Sequence, residues 1–228
     1  LADWSESDYR ARQIWQGLYR NFWNEPEQFS TLPSTLRRRL AENFTFDVLL
    51  PATTIQSKDG ETAKTLFKLH DERAIETVLM RYRERNTLCI STQAGCAMGC
   101  VFCATGQMGF KRNLSSGEII EQILYYAREL DQDGEKVTNI VYMGMGEPFD
   151  NLEEVLKSIE ILTSDWGYAM SPRRITVSTI GIIPGMLTFL EKSEAHLAVS
   201  LHTPFHEERQ KLMPVQVAYP IEDVINEI

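Results

Sequence analysis

Cysteine and histidine are both scarce here, four of each in 228 residues. All four cysteines fall between positions 89 and 103. That clustering excludes a disulfide framework spread along the chain. A chain of this length can bury a core without such staples, and no secretory segment accompanies the thiols. Long hydrophobic runs are also missing. The longest weakly polar stretch, residues 180–190, is too short to span a bilayer and is broken by Gly181, Pro184 and Gly185. The expectation is a soluble cytoplasmic protein without a membrane partner. Positive charge is in deficit too, 23 Lys and Arg against 32 Asp and Glu, a net charge of −9 that does not suit a general polyanion binder. Otherwise the composition, 43% hydrophobic and 24% charged, is that of a globular domain plus a small appendage.

What the chain does have is concentrated in residues 89–110. Cys96, Cys100 and Cys103 stand with three and then two residues between them, so their thiolates can converge from one loop on a single inorganic centre. Soft thiolates select zinc, cuprous copper or iron–sulfur, and three ligands without a neighbouring His leave one coordination position without an obvious protein donor. Ala97, Gly99, Ala104 and Gly106 let the backbone wrap closely. Structural zinc remains an alternative, although such sites usually pair two separated Cys-x2-Cys knuckles. Cys89 stands apart and reads equally as a buried inert thiol or a reactive one.

Periodicity divides the rest. Residues 1–62 read as a small helical module. Trp15, Leu18, Tyr19 and Phe22 share a helical face that ends before Pro26, and a second helix starts near Ser34. That helix carries Arg37, Arg38 and Arg39, either a solvated face or an RNA contact. Residues 63–86 predict a linking β-hairpin, and residues 87–228 an alternation of strands and helices. The pattern from Ser115 to Glu118 is a capping box, Asn151 with Glu154 predicts a second helix start, and strands are expected over 139–143, 174–178 and 196–200. Residues 184–190 read as helical. Strand–helix alternation implies an α/β fold with a parallel sheet.

In such folds functional groups gather at the carboxyl ends of strands. Those ends carry Gly144 to Pro148, then Ser178 and Thr179, then Ser200, Leu201 and His202. Glycines at 144 and 146 permit close backbone approach, Glu147 could receive an ammonium group, and Ser178, Ser200 and His202 offer hydrogen bonds. A Gly-x-Gly turn alone is weak support, since a plain strand-to-helix turn looks the same. Met143, Met145 and Met213 read as core filler. Pro204 argues against a helical zinc pair of His202 and His206.

The string Cys-x3-Cys-x2-Cys, with Phe102 before the third Cys, resembles the radical S-adenosylmethionine (SAM) signature. The longer run to Phe110 is similar to the adenine C2 RNA methyltransferases of the RlmN family. The resemblance implies a partial (β/α) TIM-like radical SAM barrel preceded by a helical RNA-binding domain. It implies a [4Fe-4S] cluster on Cys96, Cys100 and Cys103, with S-adenosyl-L-methionine held by Gly146, Glu147, Ser178, Ser200, Leu201 and His202. It further implies Glu76 as a proton acceptor, Cys89 as the cysteine that resolves a protein–RNA thioether, 23S rRNA and tRNA as substrates, an electron donor such as flavodoxin, and a monomer. An adenine C8 methyltransferase shares the cysteine architecture and stays an alternative, as does a zinc-stabilised RNA-binding module. The family's methylated cysteine has no counterpart, because no Cys follows Cys103. With about four barrel strands visible, the expectation is a C-terminally truncated chain that completes no methyl transfer and leaves a sheet edge exposed. Residues 81–112 carry a net +4 and residues 113–163 a net −8. That split suggests a basic rim beside the cysteine loop.

Overall fold

The computed structural model describes residues 1–46 and 48–228. Among them a seven-stranded sheet runs in the order β1-β2-β3-β4-β7-β8-β9, open at both edges. Strands β1 (Leu50–Gln56), β2 (Thr62–Lys68), β3 (Ala74–Tyr82) and β4 (Arg85–Cys89) form an antiparallel meander. Strands β7 (Asn139–Tyr142), β8 (Ile175–Thr179) and β9 (His196–Val199) then add in parallel, giving the four parallel strands expected from the sequence. Between β4 and β7 the chain makes a short ribbon of β5 (Gln93–Ala94) and β6 (Arg112–Asn113) around α3 (Ala104–Gln107). It then crosses through α4 (Ser116–Asp131). The later crossovers are α5 (Leu152–Thr163) and α6 (Ile183–Lys192), and α7 (His206–Leu212) and α8 (Ile221–Asn226) follow β9. No helix among the described residues is long and apolar enough to cross a membrane.

Period-two alternation separates the sheet's faces. Ile75, Leu79, Leu88, Ile140, Tyr142, Ile175 and Val177 are all buried and belong to the main core with Ile119, Ile123 and Phe189 from α4 and α6. The intervening residues look the other way. Register pairs Val78 with Cys89, Cys89 with Val141, Val141 with Thr176 and Ser178 with Ala198, so these share the open face with Glu76.

The capping box at the start of α4 forms as expected. Ser115 accepts from the Glu118 amide, and the Glu118 carboxylate accepts from the Ser115 amide at 2.9 Å. The start of α5 does not follow its pattern. Asn151 makes no side-chain cap and instead donates to the carbonyls of Thr92 and Leu114, at 2.9 and 2.8 Å, tying α5 to the cysteine loop.

The helical module is shorter than its pattern suggests. Helix α1 (Asp8–Tyr19) ends before Phe22, which has a φ of +56°, and α2 is Ser34–Asn43. Strand β1 then falls inside the stretch read as helical, and β2 begins at Thr62. Strand β1 was illegible because it is an edge strand exposed throughout, without buried alternation, and it carries Pro51 where an edge tolerates a missing donor. The hairpin read as a linker is therefore part of the one sheet. The two helices close a second core of Phe29, Leu32, Leu36 and Leu40. Trp15 meets Trp166 at 4.5 Å and Arg20 donates to the Asp165 carbonyl at 2.9 Å, docking the module on the turn after α5.

Candidate functional site: a three-thiol cavity at the ends of the parallel strands

The cysteine loop leaves the end of β4 and is pinched shut at its neck. Gly95 has a φ of +77°, and a side chain there would stand 2.0 Å from the Gly109 carbonyl oxygen, so only glycine closes this turn. Gly106 lies so close to Cys100 that a Cβ would approach its amide nitrogen to 3.1 Å. Small residues do wrap the loop. Arg112 anchors its far end with a fork of 2.8 and 2.7 Å to Glu118 and a bond of 2.6 Å to Asp71.

Cys96 and Cys100 are buried and Cys103 half-buried, and all three line one cavity of about 330 Å³. The same cavity is lined by Gly146, Glu147, Ser178, Ser200 and His202. The structure thus gathers residues from one loop and three strand ends, as far apart in sequence as Cys96 and His202. Leu201 is not among the lining residues and is 42% exposed. Glu76 and Cys89 also stand off the cavity wall, although both lie on the open face of the sheet. Glu76 pairs with Lys64 at 2.9 Å.

Glu147 is 3% exposed. Its Oε1 accepts from Thr179 Oγ1 at 2.7 Å and from the Phe149 amide at 3.1 Å, and its Oε2 from the Ile180 amide at 3.0 Å. Burial outweighs these bonds and pushes the carboxyl up to about 7. The Glu147 amide donates to Gln93 Oε1 at 2.9 Å, and Gly146, at φ +102°, packs so tightly on Gln93 that a Cβ would lie 2.5 Å away. The thiols of Cys96 and Cys100 are also raised, by burial first and then by neighbouring negative groups that include each other's partners in the loop. Burial pushes Cys89 up to about 11 against a hydrogen bond from the Met143 backbone.

Gln93 and Arg209 were missed by sequence reasoning, and Thr179 was named at its strand end without its bond to Glu147 being foreseen. A lone Gln or Thr in a strand carries no signal, and Arg209 sits in the charged run of α7. Met143, read as core filler, is 48% exposed and lines the cavity, whereas Met145 and Met213 are buried as expected. The cavity wall also contains Phe102, whose ring lies 4.2 Å from that of His202. His202, at φ +57°, precedes α7, which starts only at His206, so the two imidazoles share no helix.

The basic residues expected to form one rim are separated. Arg81, near the end of β3, and Arg85, at the start of β4, flank the turn opposite the end that feeds the cysteine loop, Arg112 is bonded to two carboxylates, and Lys111 stays exposed at the neck of the loop. In the helical module Arg38 pairs with Glu42, Arg39 covers the Trp4 ring at 4.2 Å and Arg37 donates to the Glu27 carbonyl.

The donor set fits an iron–sulfur cluster: three soft thiols with no His on the loop, opening into a cavity large enough for a small organic partner. Among the described residues no three His, Cys, Asp or Glu side chains draw close enough to hold one metal ion. The thiols ring a space instead of meeting at a point.

Fold and cavity define an α/β protein with a thiol centre at the carboxyl ends of the parallel strands of a mixed sheet. Residues 90–228 match the family model described as the Radical SAM superfamily. The chain is 43% identical over 226 residues to a probable dual-specificity RNA methyltransferase RlmN of Dictyoglomus thermophilum, covering 99% of this chain and 64% of the relative. It is 44% identical to the ribosomal RNA large subunit methyltransferase N of Nitrosopumilus maritimus, covering 99% of this chain and 67% of that protein. A crystal structure of a radical SAM methyltransferase from Sphaerobacter thermophilus superposes with a TM-score of 0.96 at 45% identity, over 100% of this chain and 67% of that one. The chain therefore belongs to the radical SAM superfamily and, within it, to the RlmN family, whose members use a [4Fe-4S] cluster and S-adenosylmethionine. It spans about 64% of the length of the first of these relatives.

Proposed function

We propose that this chain is the cluster- and SAM-binding part of a radical SAM methyltransferase acting on C2 of adenine in 23S rRNA and tRNA, working as a cytoplasmic monomer with a flavodoxin-type electron donor. The observation that carries the reading is the single cavity shared by Cys96, Cys100 and Cys103 with Gly146, Glu147, Ser178, Ser200 and His202. The RNA substrate is supported by the relatives' names.

Cys96, Cys100 and Cys103 hold the cluster as thiolates. The raised proton affinity of Cys96 and Cys100, caused first by burial, makes loading proton-releasing and favoured by alkaline pH. When bound, the cluster supplies one-electron chemistry and an open iron position for SAM. Glu147 receives the SAM ammonium: its Oε2 takes one protein hydrogen bond and keeps a lone pair free, and a cation there draws the carboxyl back to its ionised form. The hydroxyls of Ser178 and Ser200 orient the remaining polar groups, and Gly146 brings backbone within contact distance. Phe102 and His202 form an aromatic wall that excludes water. Leu201 lies outside the cavity wall and is assigned no contact there.

On the open face, Glu76 serves as the proton acceptor, with Lys64 holding its carboxylate in place. Cys89 lies across from Val78, two residues along β3 from Glu76. Its thiol ionises only with help from a base, which suits a resolving cysteine that must stay inert until substrate is placed.

Electron paramagnetic resonance of the anaerobically reconstituted, reduced chain tests the reading. A [4Fe-4S] signal that changes on adding SAM, and is lost in Cys96→Ala, is expected. A zinc-loaded, signal-free protein would overturn it in favour of a structural metal module. For the substrate, the loaded chain should retain tRNA more tightly than duplex DNA of equal length at one salt concentration; equal retention refutes the RNA assignment.

A further inference from the structure

Arg209 is the largest fully buried side chain among the described residues, 0% exposed, and makes no ion pair. Its partners are all neutral. Nη2 donates to the carbonyls of Ile180 and Ser200, at 2.7 and 3.2 Å, and Nη1 donates to Gln216 Oε1. Nε is buried with no partner at all. An uncompensated guanidinium in the interior is costly and calls for an anion nearby. Glu222 stands behind Gln216, which bonds it at 3.5 Å, and is itself exposed.

The carbonyls that hold Arg209 belong to two residues of the cavity wall, at the ends of β8 and β9. The segment that carries it also backs the cysteine loop. Met213 and Val215 pack on Cys100, and the Val101 amide donates to the Leu212 carbonyl at 3.0 Å. Burial pushes the Arg209 guanidinium below its ordinary value, and Cys100 and Glu222 work against that shift.

We propose that Arg209 is a positioning residue that joins the ends of β8 and β9 behind the cavity and supplies the fixed positive charge for the thiolate of Cys100 and the anionic centre it holds. This rests on the cluster-binding reading above. Reduction adds negative charge to a thiolate-bound cluster, and a buried cation behind one ligand favours that reduced state, raising the reduction potential. Without an anionic centre in front of it, the same side chain would be a polar plug between two strands and α7.

The test compares Arg209→Lys, which keeps the charge, with Arg209→Gln and Arg209→Met, which remove it. Each full 228-residue chain is reconstituted anaerobically, its iron content is measured, and its midpoint potential is read by a redox titration followed by paramagnetic resonance. The expected result is a more negative midpoint in the Gln and Met variants, with the Lys variant close to the parent. A Gln variant that folds, loads iron and keeps the parent midpoint overturns the proposal. If neither neutral variant loads iron, loading by the Lys variant with an unchanged midpoint supports the charge, and failure of Lys as well assigns Arg209 to folding alone and overturns it. A parent chain that binds no cluster sinks the underlying reading, an outcome separate from any difference among variants.

Discussion

The two faces of the seven-stranded sheet differ in almost every respect. On the helix-covered face Ile75, Leu88, Ile140, Ile175 and Val177 are fully buried and packed by α4, α5 and α6. On the open face the residues at alternate positions, Glu76, Cys89, Val141, Thr176 and Ser178, are only half-buried and mostly polar or thiol. Neighbours in sequence thus belong to different energetic regimes. One face holds the fold together, and the other stays half-open and carries the polar groups. Glu147 is the exception that joins them: it is buried like the helix-covered residues, yet lines the cavity.

Substitution can break this contrast or sharpen it. The largest effect is expected from Ile140→Ala, which empties a fully buried site in the central strand and should cost about 2–5 kcal/mol in urea unfolding. A cost under about 1 kcal/mol would mean that the helix-covered face is not the stabilising one. Next comes pH. Because burial raises Glu147 to about 7 from an ordinary value of 4.5, the folded chain holds a proton that the unfolded chain has released between those values. Its contribution is therefore fully present at low pH and falls as pH rises through that window, by about 3 kcal/mol. Glu147→Gln should flatten this part of the stability–pH curve; an unchanged slope would show that the carboxyl is not desolvated.

Tyr142→Phe removes the buried hydroxyl bonded to Ser158 Oγ at 2.7 Å, while Ser158 still donates to the Val155 carbonyl. The expected cost is about 1 kcal/mol by the same unfolding assay. Smallest is Ser178→Ala on the open face, with a stability change within about 0.5 kcal/mol and a weakened SAM dissociation constant measured by calorimetry on the loaded chain. If Ser178→Ala destabilises as much as Tyr142→Phe, the division between the faces fails.

The cysteine loop, the parallel strands and the capping box at Ser115 were all legible, because each is local. A thiol spacing, a capping pair three residues apart and a run of alternating residues need no knowledge of distant chain. Strand β1 escaped, since an exposed edge strand is held by backbone pairing with β2 and leaves no pattern in its side chains. The Arg81 to Arg85 group was misplaced for the same kind of reason: closeness to Cys89 in sequence became separation by the length of β4.

By itself, then, the sequence determined the chemistry on offer, three soft donors on one short loop and polar or glycine residues at the ends of successive strands. Tertiary structure decided which of these meet. It placed Ser178, Ser200 and His202 on the same cavity as the thiols, left Leu201 off it, folded Glu147 inward onto Thr179, and buried Arg209 against the carbonyls of Ile180 and Ser200. Such contacts arise between residues far apart in the chain, where strand register and desolvation set geometry and charge, and neither quantity is written in any local pattern.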